Sequence, residues 1–119
     1  MNLKETIRKV LLEETKLSNF LRRRVGKLDQ DELDNIMDMS LNKCEVMIKK
    51  YFGSGKNEPM TFSKFSSLVM SFFIDTLFMK DIFREDNDVV YNELHFYYSQ
   101  IYYDRIKKYY DDNNIKNIY

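Results

Sequence analysis

Phe62-Ser63-Lys64-Phe65-Ser66-Ser67-Leu68-Val69-Met70-Ser71-Phe72-Phe73-Ile74-Asp75-Thr76-Leu77-Phe78 is the stretch on which the fold turns. Its apolar residues recur at helical spacing and cover more than one face, with Phe72 among the inner positions. A helix that is apolar nearly all round belongs at the buried centre of a bundle. The spacing predicts a helix that begins near Thr61 and fades near Arg84. The apolar run Leu68 to Met79 is interrupted by Ser71, Asp75 and Thr76. It falls short of the roughly 20 residues of a membrane span, so no membrane partner is expected.

On the N-terminal side, Gly53 to Met60 reads as a loop, because glycines, Ser54, Asn57 and Pro59 crowd it. Before it lies a helix with a well-marked start. Asp29 is the candidate N-cap and Glu32 completes a capping box; Leu28 and Leu33 can staple across it. Leu33, Ile36, Met37, Leu41, Cys44, Met47 and Ile48 form its buried stripe. Lys49 and Lys50 suit the last turn, where cations offset the helix dipole. A shorter helix, Asn19 to Val25, stops at Gly26. The opening segment, Asn2 to Glu14, places Leu3, Ile7, Val10 and Leu11 on one narrow face. Thr15 to Ser18 reads as a weak joint.

On the C-terminal side, Asp86-Asn87-Asp88 is a turn and cap cluster. One long helix is expected from about Val89 to Tyr110, with Val90, Leu94, Tyr98, Ile101 and Tyr102 inside. Residues 111–119 are polar and expected to fray. The fold class is all-α: a compact bundle of about four main helices with an extra N-terminal amphipathic helix. Residues 1–119 form one domain, with 1–15 a separable segment. The alternative keeps the same helices at steeper crossing angles.

Composition agrees. The chain has 119 residues, 44% apolar and 15% aromatic, with one proline and three glycines. That is too apolar for disorder and too poor in turn residues for a β domain. Basic and acidic residues cancel at 19 each. A neutral total predicts no strong field for nucleic acid. Residues 1–27 nevertheless carry eight cations and three anions, a local +5. A single cysteine excludes an internal disulfide. The charged first residues lack the apolar core of a signal peptide, so a soluble chain is expected.

No constellation supports catalysis, and neither a cofactor nor a metal is expected. Gly53-Ser54-Gly55-Lys56 suggests a phosphate loop, but no glycine stands five residues before Gly55, where the first one is needed, and Asn57 follows the lysine. Cys44 and His95 are the only thiol and imidazole, too few for a zinc site. Cys44 also continues an apolar stripe. Asp75 is either buried with a cationic partner or solvated beside Ser71. Arg22, Arg23 and Arg24 could meet phosphate, yet they close a helix at its negative end, the wrong end for an anion. Seven tyrosines crowd residues 91–110. Neighbouring doublets lie about 100° apart around a helix, so some of Tyr97, Tyr103 and Tyr110 should face outward. Exposed tyrosines favour protein interfaces.

The opening Met1-Asn2-Leu3-Lys4-Glu5-Thr6-Ile7-Arg8-Lys9-Val10-Leu11-Leu12-Glu13-Glu14, with Phe20-Leu21-Arg22-Arg23-Arg24, resembles small uncharacterised proteins encoded by AT-rich marine tailed phages. The likeness covers roughly the first quarter of the chain and implies an origin rather than an activity. The segment is also similar to N-terminal capsid-targeting peptides of large myovirus-type phages. These are cut after a Leu-or-Ile, any residue, Glu triplet, which Leu11-Leu12-Glu13 and Leu12-Glu13-Glu14 both fit.

The residues and the resemblance together imply a non-enzymatic, phage-encoded interaction protein in the host cytoplasm. Its surface would draw on Leu3, Ile7, Val10, Leu11, Arg22, Arg23, Arg24, Tyr97, Tyr103 and Tyr110. Its partner would be another protein or a second copy, with no small-molecule substrate. The alternatives are a prohead-internal or virion protein carried in by the N-terminal peptide, and a weak nucleic-acid binder.

Overall fold

The computed structural model describes residues 19–52, 59–83 and 88–117. The expected opening segment, with Leu3, Ile7, Val10 and Leu11, therefore lies outside the described residues, as do the Gly53–Lys56 motif and Asp86-Asn87. Among the described residues there are five α-helices, a closing 3-10 turn and no strand. They are α1 (Asn19–Gly26), α2 (Gln30–Phe52), α3 (Phe62–Met79), α4 (Asp88–Ile101) and α5 (Tyr103–Asp112), with the turn at Ile115–Asn117. The fold is an all-α bundle.

α3 is the hub. It packs against α2 on one side and against α4 and α5 on the other, and the 3-10 turn packs on α5. Phe65, Val69, Met70, Phe73, Ile74 and Leu77 are its buried residues. Leu68, Phe72 and Phe78 are only partly buried against the core. The expectation of an all-round buried helix is therefore corrected: one broad face is inside, and Phe72 lies at its edge. α3 is also the one described helix long and apolar enough to cross a membrane. A bundle's core helix has that same composition.

Local chemistry sets the helix ends. Asp29 Oδ1 accepts from the Asp31 amide at 2.9 Å, and its carbonyl accepts from Leu33. Thr61 Oγ1 accepts from the Lys64 amide at 3.2 Å and caps α3. α3 ends at Met79, short of Arg84. Asp81 takes a positive φ of 58°, and the Ile82 amide reaches back to the Leu77 carbonyl at 2.9 Å. The Asp81 amide bonds Phe78, which completes a Schellman stop without glycine. α1 docks on this turn: Arg24 donates to the Ile82 carbonyl at 3.0 Å and stacks over the Phe83 ring.

Two C-terminal expectations are corrected. The single long helix is two, broken at Tyr102, whose backbone sits at φ −98°, ψ 9°. Residues 113–117 are placed against the bundle rather than extended into solvent. Asn114 takes a φ of 51°, turning the chain so that Ile115 is fully buried. The Lys116 carbonyl then accepts from the Met60 amide at 3.2 Å.

Candidate interaction surface

The tyrosines expected at the surface divide. Tyr103 is 51% exposed, but Tyr97 and Tyr110 are buried. Tyr97 lies three residues after Leu94 on the inner face of α4 and packs edge-on to Tyr98 at 4.9 Å. The break at Tyr102 resets the helical phase, so α5 buries Ile106 and Tyr110. Tyr110 donates its hydroxyl to the Met60 carbonyl at 2.6 Å.

Tyrosine hydroxyls withdrawn from water need partners, and α2 supplies them for Tyr102 and Tyr109. Tyr102 donates to Asp34 Oδ1 at 2.9 Å, and Gln30 donates to the Tyr102 oxygen at 3.2 Å. Arg105 adds ion pairs to Asp34 and Asp38 at 3.5 and 2.7 Å. One turn further on, Tyr109 donates to Glu45 Oε1 at 2.6 Å. Burial first, and then the neighbouring carboxylate, pushes both hydroxyls well above the usual tyrosine range. These tyrosines act as structural pegs.

A pH dependence follows. The native state holds these protons while the unfolded chain releases them from about pH 10. Their stabilisation is complete below that point and is lost as pH rises through the native values. Thermal melts from pH 8 to 11.5 should show a midpoint that falls above pH 10. Changing Tyr102 and Tyr109 together to Phe should flatten that fall; an unchanged slope would count against these two groups.

The remaining sequence candidates are not assembled into a site. Arg23 is exposed, Arg24 is engaged with Ile82 and Phe83, and the Arg22 side chain lies outside the described residues. Cys44 is buried, and burial pushes its thiol up to about 12, far from the reactive thiolate. His95 lies elsewhere, beside Tyr91 at 6.0 Å, and partial burial lowers its pKa. Asp75 is exposed, which settles the solvated reading. No three His, Cys, Asp or Glu among the described residues come together to hold a metal.

Among the described residues, two hollows mark the outside. One, about 750 Å³, is open and of mixed character, lined by Phe62 and serines of α3, by His95, Ser99 and Gln100, and by Tyr103 and Asp104. The other, about 430 Å³, is apolar and lies between α2 and α3. Lys43, Val46, Met47, Lys50 and Tyr51 line it at i, i+3, i+4, i+7 and i+8 of α2, and Phe72 closes it from α3. Val46 is 65% exposed and Tyr51 64%. Met47, assigned by periodicity to the buried stripe, is half-buried and belongs to this second face. That face is legible in the sequence as apolar residues lying off the Leu33–Ile48 stripe. Comparison with protein-family models, with curated proteins and with solved structures finds no match.

Proposed function

We propose that this chain is a phage-encoded interaction protein that acts by binding another protein and performs no chemistry of its own. The observation that supports this reading is the α2–α3 hollow. Apolar side chains held outside a completed core cost solubility unless something covers them. Val46, Met47, Tyr51 and Phe72 are gathered on one face; the first three take no part in the core, and Phe72 packs only at its edge. Tyr103, at the start of α5, is a further exposed aromatic. Nucleic-acid binding ranks lower, because Arg24 is spent inside the fold.

The test is an affinity capture from infected host cells with the partners identified by mass spectrometry. The intact chain should retain a partner that is lost when Val46→Asp and Tyr51→Ser are combined. Both positions are exposed, so circular dichroism should show the variant folded. Identical captures from the two chains would overturn the assignment of function to this surface.

A further inference from the structure

The α2–α3 hollow differs from a plain apolar patch in the charges that edge it. Both charged side chains lining it, Lys43 and Lys50, are cationic. They stand seven residues apart on one face of α2, about 10 Å along its axis, and bracket Val46 and Met47. Lys50 lies over the Tyr51 ring at 5.4 Å, so its charge sits at the wall of the hollow. The carboxylate closest in sequence, Glu45, is turned away, bonded to Lys49 at 3.1 Å and to Tyr109. Lysine stems extend an apolar floor while their ammonium groups stay in water. A partner helix lying along α2 would set apolar side chains between the two cations and its own anions against them.

We infer that this groove binds an acidic amphipathic helix of a partner protein, with carboxylates about two turns apart flanking an apolar pair. The inference rests on the interaction reading above and adds the chemistry of the partner. Charge of this kind sets specificity and on-rate, and salt screens it.

The experiment pans a display library of 18-residue amphipathic helices, with Glu and Lys randomised on the flanking positions, against the full chain. Val46→Asp serves as the counter-target. Clones that depend on Val46 should carry Glu over Lys by ten-fold or more, and raising salt from 50 to 500 mM should weaken them several-fold. Combining Lys43→Glu with Lys50→Glu should reverse the preference. Val46-dependent clones with no Glu excess would overturn the acidic partner while leaving the interaction reading in place. Three other outcomes would also overturn the inference: no Val46-dependent clone, equal Val46-dependent binding to phosphatidylserine vesicles, or a Val46-dependent dimer in light scattering.

Discussion

Phe73→Ala is expected to remove about 3–5 kcal/mol of folding free energy, the largest loss from any single aromatic of α3. Phe73 is fully buried at the middle of the hub helix. Its ring meets Tyr98 edge-on at 5.1 Å and Tyr102 at 5.4 Å. Truncation therefore opens a cavity where α3 meets α4 and loosens Tyr102, whose hydroxyl ties the α4–α5 break to α2 through Asp34. Edge-on ring pairs add about 0.5–1.5 kcal/mol beyond the buried area. Phe72 is the control. Half-buried at the rim of the outer hollow, it should cost about 1–2 kcal/mol on truncation, in proportion to the smaller area it withdraws from water. Urea melts of the two variants should separate by at least about 1 kcal/mol. Equal losses would mean that the two faces of α3 are not distinguished as described.

The contrast between these neighbours shows where periodicity stops being informative. Both phenylalanines are apolar, and a sequence rich in them reads as buried all round. Only the placement of α2, α4 and α5 decides which face is closed. Signals that depend on a residue's own chemistry were easier to read. Asp29 and Gly26 bound α1 and α2 where the sequence placed them. The stop of α3 was hidden because Asp81, not glycine, takes the left-handed turn. Aspartate and asparagine tolerate that conformation, but they are far commoner elsewhere, so their presence announces little. The break at Tyr102 has no proline or glycine to mark it. What coincides with it is long-range: a hydroxyl bonded to Asp34, 68 positions away. The outer groove was half legible, since Val46 and Tyr51 lie off the main stripe, yet one wall, Phe72, comes from another helix.

The C-terminal segment carries the second large effect. Its run Asp111-Asp112-Asn113-Asn114 looks solvated, and a polar end beyond a helix ordinarily frays. Asn114 instead reverses the chain, and Ile115 enters the core with no exposed surface. The reversal also fixes Met60 from two sides. Its amide donates to Lys116 and its carbonyl accepts from the Tyr110 hydroxyl at 2.6 Å, so the residue before the α3 cap is held by the far end of the chain. Ile115→Ala should cost about 2–5 kcal/mol, as for buried aliphatic truncations elsewhere. Ending the chain after Asp112 should cost at least as much and should also strip hydrogen-exchange protection from the Met60 amide. Asn114→Gly should be nearly neutral, because glycine takes the same backbone turn without strain, whereas Asn114→Val should destabilise. A loss below about 0.5 kcal/mol for both Ile115→Ala and the truncation, within the range of ordinary surface substitutions, would show that the segment frays after all and that α3 is held by its own cap alone.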